Sequence, residues 1–212
     1  MNILSFFKRN RITFKSKTSG EIIVEEYFGK KTLYMNGVAQ SGGEFEYMWK
    51  KVIDRIKKEK LNTCLVLGVG GGTAFNYLKQ KYRNVFITGV ELDPVIIDVQ
   101  KKYFSIEKES NINLICEDAF KWVDKYLNKS KFDLIIVDLY HNRLNPLMAR
   151  NKEFMGKIKK LLSENGFVIF NAHFQPEKPE ELDEFLKICE GIFSTQEIVF
   201  SYKYNRMVLL GT

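Results

Sequence analysis

The feature that most constrains the fold of this chain is an apolar run at residues 65–67 that leads into four glycines within five residues, 68–72. Glycine has no Cβ, so the chain can reverse sharply here and its backbone N–H groups can approach a ligand closely. Thr73 then opens a segment with helical periodicity. A strand, a glycine-rich turn and a helix in this order predict a nucleotide-binding turn, although a purely structural tight turn uses the same glycines.

Downstream of this turn, short apolar runs alternate with amphipathic segments. Strands are expected at 63–67, 85–90, 112–116, 132–139 and 167–171. Helices are expected at 73–82, 94–103, 119–127, 147–162 and 179–193, with Asn165-Gly166 as the stop of the helix before the fifth strand. Repeated strand–helix units imply a parallel sheet with helices on both faces.

The last two apolar runs, 197–203 and 206–210, are separated by only two residues. Such a connection is too short for a crossover, so an antiparallel hairpin is expected at the sheet edge. The predicted fold class is therefore α/β, a doubly wound Rossmann-like sheet of seven strands, mostly parallel, with an antiparallel C-terminal hairpin.

The residues before this sheet predict a small β module. Short β-prone runs occur at 12–15, 22–27 and 31–35, and a helix with one apolar face is expected at 44–60. The expected organisation has three parts. These are the β module at 1–40, a connecting helix at 41–61 and the Rossmann-like domain at 62–212.

Composition and charge narrow the class of function. No apolar run approaches the ~20 residues needed to cross a membrane and no signal-peptide pattern opens the chain, so no membrane partner and a cytoplasmic location are expected. The net charge is +7, of which +6 falls in residues 1–60, but lysines alternate there with glutamates. Nucleic acid is therefore not expected as a partner. The isolated cysteines Cys64, Cys116 and Cys189 suit reduced core residues, and no metal site is expected.

Acidic residues follow the strands at the edge where doubly wound sheets bind ligands. Glu91 ends the second strand 19 residues after Gly72, which is the spacing of an acid that accepts hydrogen bonds from ribose hydroxyls. Asp118 ends the third strand, where it either accepts from an adenine amine or caps the next helix. Asp93, directly before Pro94, is interpreted as a helix cap.

A second polar group follows the fourth and fifth strands. Asp138 lies near the end of a buried strand, where an unpaired carboxylate would be costly. The two histidines of the chain, His141 and His173, come just after these strands, beside Tyr140 and Asn171. Because histidine exchanges protons near neutral pH, this group is a candidate catalytic set; the alternative is that both histidines are ordinary loop residues.

Taken together, these motifs resemble class I S-adenosylmethionine-dependent methyltransferases, and the spermidine synthase branch most closely. The segments that carry the resemblance are 34–40, 44–47, 67–72, 90–94, 117–119 and 132–138. It covers roughly residues 20–172. The resemblance implies a small N-terminal β module, and a homodimer formed through it.

Carried over residue by residue, the resemblance implies a site for S-adenosylmethionine and a small-molecule acceptor. The cofactor residues would be Gln40, Gly68, Gly70, Gly71, Gly72, Thr73, Glu91, Asp118, Ala119 and Asp138. The polar group at the ends of the fourth and fifth strands supplies the candidate catalytic residues His141, Asp138, Tyr140 and His173, and the substrate is expected to contact Tyr47 and Asn171.

The chain departs from the aminopropyltransferases of that branch at the positions of two acids. Those enzymes carry an acid directly after the glycines, where this chain has Thr73, and a catalytic Asp where it has His141. Met48 and Asn142 replace a Gln or His and a Pro, respectively. The acids hold the aminopropyl ammonium of decarboxylated S-adenosylmethionine and help to deprotonate the attacking amine. Their loss favours ordinary S-adenosylmethionine and methyl transfer to a small nucleophile.

Two alternatives stay open at this point. One is a true aminopropyltransferase that uses the decarboxylated cofactor, in which Glu117 or Asp138 binds the amine. The other is a non-catalytic nucleotide-binding or assembly protein that engages a partner through its basic N-terminal module. A nicotinamide dehydrogenase is disfavoured, because Thr73 stands where the dinucleotide fingerprint has its third Gly or Ala.

Overall fold

A computed structural model describes residues 9–104, 110–140, 144–175, 177–203 and 205–212. In these residues the chain forms two sheets. The small sheet is antiparallel, with its strands in chain order: β1 Asn10–Ser16, β2 Gly20–Tyr27, β3 Lys30–Met35 and β4 Val38–Ala39. The N-terminal β module is thus present, with one short strand more than the sequence predicts.

The main sheet has seven strands in the order β10-β11-β9-β8-β5-β6-β7. Their bounds are β5 Thr63–Leu67, β6 Phe86–Glu91, β7 Ile112–Cys116, β8 Phe132–Val137, β9 Leu162–His173, β10 Thr195–Tyr202 and β11 Asn205–Gly211. Strands β5 to β9 pair in parallel, whereas β11 pairs antiparallel with both β9 and β10. The predicted fold class is confirmed.

Six helices pack around this sheet in the part of the chain that is described. They are α1 Glu44–Arg55, α2 Thr73–Lys81, α3 Pro94–Tyr103, α4 Ala119–Tyr126, α5 Lys152–Leu161 and α6 Pro179–Glu190. Successive residues of the central strand β5 alternate between the two faces. Leu65 and Leu67 pack toward α4, α5 and α6, while Cys64 and Val66 pack toward α1 and α2. Because both faces are covered, the strand has a continuous apolar sequence.

The small sheet shares its core with the main domain. Its buried residues Ile22, Val24 and Leu33 pack against Ile96 and Val99 of α3. Each such side chain contributes roughly 1.5–3 kcal/mol when it is removed from water. The small sheet is therefore anchored on the helix that follows β6.

Two helix ends differ from the sequence prediction because tertiary contacts set them. Helix α1 ends at Arg55 instead of residue 60, since Lys81 Nζ donates to the carbonyl oxygens of Ile53 (2.7 Å) and Ile56 (2.9 Å) and Ile56 is extended. The helix predicted at 147–162 is divided. A 3-10 turn at Leu147–Arg150 precedes α5, whose start is capped by Asn151 Oδ1 accepting from Phe154 N at 2.8 Å.

The predicted helix stop at Asn165-Gly166 is wrong. Helix α5 ends at Leu161, and Asn165, with φ 56°, lies inside β9. The pairing of β9 with β8 shifts between Leu162 and Phe167, so the left-handed residue belongs to an irregularity in the strand.

The remaining expectations concern membrane-spanning helices, metal sites and the burial of the cysteines. No helix among the described residues is long and apolar enough to cross a membrane. The described residues contain no cluster of His, Cys, Asp and Glu that could hold a metal ion. Cys64 and Cys189 are buried as predicted, but Cys116 at the end of β7 is exposed.

Candidate cofactor and active site

The glycine turn closely approaches the end of β8. Gly68 has φ +85°, and a Cβ there would lie 2.3 Å from the carbonyl oxygen of Asp138. At Gly70, by contrast, the nearest atom to a Cβ would be Tyr140 Oη at 3.9 Å, which leaves open space on that side of the turn. The turn can thus contact the neighbouring strand at Gly68 and still leave room for a ligand beside Gly70.

The N-terminal module crosses over the same turn. A Cβ on Gly71 would lie 2.4 Å from Ser41 Cβ and 2.9 Å from the carbonyl oxygen of Gln40. Ser41 is fixed in turn by Leu33 of β3, whose backbone N–H donates to Ser41 Oγ at 2.9 Å. A cavity of about 10 Å³ between these segments is lined by Gln40, Gly68, Gly71, Thr73 and Asp138, among others. The structure therefore brings Gln40 to the turn.

Glu91 holds the turn from the end of β6. Its Oε2 accepts from the backbone N–H groups of Val69 (3.0 Å) and Gly70 (3.3 Å), and its Oε1 accepts from Asp93 N (3.0 Å). Burial raises the pKa of Glu91, and these three hydrogen bonds oppose the shift. This structural role was missed by the sequence analysis, whereas the predicted bond to ribose remains a prediction.

Two acids cap helices. Asp93 Oδ1 accepts from Val95 N at 2.9 Å, with Pro94 in the first position of α3, as predicted. Asp118 Oδ1 accepts from Phe120 N (2.9 Å) and from Lys121 N (3.0 Å) at the start of α4. Of the two readings given for Asp118, the helix cap is thus confirmed. Its contact with adenine, and that of the neighbouring buried Ala119, remain predictions.

Two further residues near the turn were missed. Gln100 of α3 is fully buried, and its Nε2 donates to the carbonyl oxygen of Gly70. Leu92 lies between Glu91, which ends β6, and Asp93, which caps α3. It is 53% exposed at the carboxyl edge of the sheet, where sheets of this type bind ligands. An apolar residue directly after the ribose-spaced acid was the sequence signal for Leu92. No local pattern marks Gln100, because its contact depends on how α3 packs.

Four of the predicted catalytic and substrate residues, Asp138, Tyr140, Asn171 and His173, form two contacting pairs at the ends of β8 and β9. Asn171 Nδ2 donates to Asp138 Oδ1 at 2.8 Å, and the rings of Tyr140 and His173 stack with centroids 5.3 Å apart. Burial raises the pKa of Asp138 to about 6, Asn171 opposes the shift, and the charge of Glu91 adds to it. Burial also raises the pKa of Tyr140 well above its usual value, assisted by the same two carboxylates.

Two asparagines complete this group and were not predicted. Asn145 Nδ2 donates to the carbonyl oxygens of Leu139 (2.7 Å) and Asn171 (2.9 Å), while its Oδ1 accepts from His173 N at 2.6 Å. Asn205 Nδ2 lies 2.9 Å from His173 Nε2 and 3.1 Å from Asn171 Oδ1. Asn205 begins β11 directly opposite His173 in the β9–β11 register, whereas the predicted hairpin left Asn205 in its two-residue connection.

Two other predicted site residues remain untested. His141 lies outside the described residues. Tyr47 of α1 is 55% exposed and rests edge-on against Phe200 of β10, with ring centroids 5.9 Å apart. The contact of Tyr47 with a substrate stays a prediction.

The fold is that of a Rossmann-like α/β protein, and its glycine turn lies at the carboxyl ends of the strands, where sheets of this type bind ligands. Residues 52–204 match the family model of the spermine/spermidine synthase domain. The chain therefore belongs to the spermine/spermidine synthase family.

Relatives with two kinds of name are similar in sequence. The probable polyamine aminopropyl transferase of Bifidobacterium longum is 30% identical over 128 residues, covering 60% of this chain and 28% of that protein. The eEF1A lysine and N-terminal methyltransferase homolog of Drosophila melanogaster is 23% identical over 147 residues, covering 65% of this chain and 22% of that protein. The chain thus spans less than a third of the length of these two relatives.

Solved structures share the fold. A probable spermidine synthase from Corynebacterium glutamicum superposes with a TM-score of 0.78 at 19% identity, covering 97% of this chain and 81% of that one. Human methyltransferase-like protein 13 in complex with SAH gives a TM-score of 0.64 at 18% identity, covering 78% of each chain. One fold thus serves both groups of proteins, and it does not by itself choose between them.

Proposed function

We propose that this chain transfers a methyl group from S-adenosylmethionine to a small nucleophile. Family membership supports a transferase, because relatives of the chain are named aminopropyl transferase and methyltransferase. The choice of cofactor rests on one observation. The first turn of α2, which follows the glycine turn directly, begins with the buried and neutral Thr73 and contains no acidic residue.

This turn has a simple electrostatic preference. The N-terminus of a helix carries partial positive charge and N–H groups without partners inside the helix. At α2 the N-cap is Gly72, and no side chain caps it. S-adenosylmethionine ends in a carboxylate that such a turn stabilises, whereas the decarboxylated form ends in an ammonium without one. The turn therefore favours the intact cofactor.

The described residues fit a nucleotide of this kind. The side of Gly70 on which a Cβ would stand is open, and the carboxylates of Glu91 and Asp118 retain lone pairs beyond the hydrogen bonds that they already accept. We assign Glu91 to binding the ribose and Asp118 to binding the adenine amine. Gln40 covers the bound cofactor at the glycine turn from the side of the N-terminal module. When bound, the cofactor supplies an electrophilic carbon attached to a sulfonium.

The chain itself supplies groups that orient the acceptor and handle its proton. With a pKa of about 6, Asp138 is ionised at neutral pH and can accept a proton from an incoming nucleophile. Tyr140 stays protonated at neutral pH and can donate a hydrogen bond. Its stack on His173 fixes the plane of both rings and shields this end of the site from water.

The experiment is a pair of calorimetric titrations with S-adenosylmethionine and with its decarboxylated form. We expect the intact cofactor to bind about tenfold more tightly or better, which corresponds to the ~1.4 kcal/mol of one charge-assisted hydrogen bond. Tighter binding of the decarboxylated form would contradict the proposal. During turnover, S-adenosylhomocysteine is the expected product, and release of methylthioadenosine would exclude methyl transfer.

Aminopropyl transfer is the second candidate, and one observation favours it. The carboxylate of Glu91 binds the glycine turn at Val69 and Gly70, and Asp138 lies beside the same turn at Gly68, where the charge of Glu91 raises the pKa of Asp138. An ammonium group placed between them would relieve that repulsion. Incubation with putrescine and decarboxylated S-adenosylmethionine tests this candidate, and absence of methylthioadenosine at saturating concentrations would remove it.

A further inference from the structure

The polar side chains at the ends of β8, β9 and β11 form one hydrogen-bonded network. Asp138, at one end of this network, fixes which atoms donate and which accept. An ionised carboxylate only accepts hydrogen bonds, so Asn171 must present its Nδ2 to Asp138 Oδ1, 2.8 Å away. The other atom of the same amide, Asn171 Oδ1, then points away from Asp138 as an acceptor. It lies 3.1 Å from Asn205 Nδ2.

Through Asn205, the same order of donors and acceptors extends to His173. Its Nδ2 has two hydrogens, one for Asn171 Oδ1 and one for His173 Nε2 at 2.9 Å. If the Asn205 amide were flipped, its oxygen would face Asn171 Oδ1, and two acceptors would meet with no hydrogen between them. Nε2 of His173 must therefore hold a lone pair, which places the proton of the neutral ring on Nδ1.

The ring of His173 is held in place by two further contacts. Its backbone N–H donates to Asn145 Oδ1 at 2.6 Å, and its ring stacks on Tyr140. Asn145 in turn ties the segment after β8 to β9, since its Nδ2 donates to the carbonyl oxygens of Leu139 and Asn171. These contacts fix where the ring lies, whereas the contact of Asn205 Nδ2 with Nε2 bears on which of the two ring nitrogens carries the proton.

We propose that Asn205 is a positioning residue that holds His173 in its Nδ1–H tautomer, and that the carboxylate of Asp138 sets this tautomer through Asn171. In this arrangement Nδ1–H is the donor that His173 can offer, and Nε2 does not serve as a base toward an acceptor. The consequence for catalysis rests on the proposed function. The tautomer itself does not depend on it.

A purely structural network would behave differently from a directional one. If the amides only satisfied each other's hydrogen bonds, any residue that preserved packing at position 205 would leave the imidazole unchanged. If the donor and acceptor roles are instead fixed along the network, then exchanging the donor for an acceptor at one residue must change which nitrogen of His173 carries the proton. The measurement must therefore report which ring nitrogen carries the proton.

Nitrogen-15 NMR of the histidine rings provides this readout in the full chain without cofactor. At about pH 8 Asp138 is ionised, because its pKa is about 6. The chain has two histidines, so His141→Gln assigns the remaining signals to His173. We expect a protonated Nδ1 and an unprotonated Nε2. A protonated Nε2 in the parent chain would overturn the proposal.

Two variants test the direction from opposite ends. Asn205→Asp replaces the donor with an acceptor, so Nε2 should gain a proton and the signal of an unprotonated Nε2 should be lost. Asp138→Asn allows either amide orientation, so both tautomers should appear. The matched control is Asn113→Asp on the exposed face of β7, which should change nothing.

The proposal for the His173 tautomer can be tested even if one of the two variants does not fold. If Asn205→Asp does not fold, Asp138→Asn still tests the chain from its other end. An unchanged His173 spectrum in a folded variant of either kind would overturn the proposal. Failure of the chain to bind S-adenosylmethionine would contradict the proposed function but would leave the NMR result intact, so the two failures are distinguishable.

Discussion

Glu91 Oε2 accepts a hydrogen bond from the backbone N–H of Val69 at 3.0 Å and thereby ties the end of β6 to the glycine turn. The same carboxylate accepts from Gly70 N and Asp93 N. A residue that the sequence predicts as a ligand contact therefore also supports the glycine turn. Its removal should be visible before any ligand is added.

Replacing Glu91 with alanine should loosen the turn. Three backbone N–H groups lose their acceptor, and each buried donor left without a partner costs about 1–3 kcal/mol, offset in part by the relief of a buried charge. We expect a net loss of about 1–3 kcal/mol in the free energy of unfolding and faster amide hydrogen exchange at Val69, Gly70 and Asp93. Glu117→Ala is the control, since the carboxylate of Glu117 forms a long ion pair with Lys125 (3.6 Å) at the surface and its loss should cost less than ~1 kcal/mol. Equal effects of the two variants would contradict this role.

Placing an acid at the start of α2 should reverse the cofactor preference. Thr73→Asp introduces a carboxylate that the helix N-terminus accommodates, so the fold should be retained. Affinity for S-adenosylmethionine should fall about tenfold and affinity for the decarboxylated form should rise, each measured by calorimetry. Gln80→Glu adds the same charge at an exposed position of the same helix and should change neither affinity. Equal losses for both cofactors would show that Thr73 acts by shape rather than by charge.

Asp138 should destabilise the folded chain above about pH 6. Its folded pKa is raised from 3.8 to about 6, so the folded state holds the proton more tightly and stability falls as pH rises through this interval. Asp138→Asn removes the effect. The variant should be more stable than the parent by about 1–3 kcal/mol at about pH 8, with no difference near pH 4. Urea denaturation at both pH values checks this, and a variant less stable than the parent at the higher pH would refute it.

Asp133, at the opposite end of β8, should behave in the opposite way. Burial alone would raise its pKa, but hydrogen bonds from Lys58 Nζ, Asn62 N, Ser163 Oγ and Thr63 N lower it to about 2. Its contribution is therefore present above about pH 4 and is lost as pH falls through 2. Asp133→Asn should lower the free energy of unfolding by about 2 kcal/mol at neutral pH, and the loss should shrink on acidification. A loss that did not vary with pH would point to packing instead.

Much of the fold could be predicted because its elements are periodic in sequence. The continuous apolar strands and the two-residue separation of the last hairpin are local facts, and the sheet follows from them. Helix ends were less predictable where distant residues set them. Lys81, for example, binds the carbonyl oxygens at the end of α1, 28 residues away from Ile53. No local pattern in α1 contains that information.

The residues of the candidate site likewise include some that the sequence could predict and others that it could not. The spacing from Gly72 to Glu91 located the acid correctly, but the partners that Glu91 uses in the folded chain are backbone groups without any side-chain signature. Asn205 could be placed near His173 only through the register of β9 and β11, which a sequence pattern does not fix. The residues that arrange the site are thus harder to predict than those expected to touch the ligand.

The crossing of residues 40–41 over Gly71 has a consequence for how this protein can change. The two segments are 30 residues apart in sequence, yet a side chain at position 71 would occupy the space of Ser41. A larger residue at 71 is therefore compatible with the fold only if the path of the N-terminal segment changes with it. Substitutions at these two places are mutually dependent, so the covering of the turn and the turn itself must evolve as one unit.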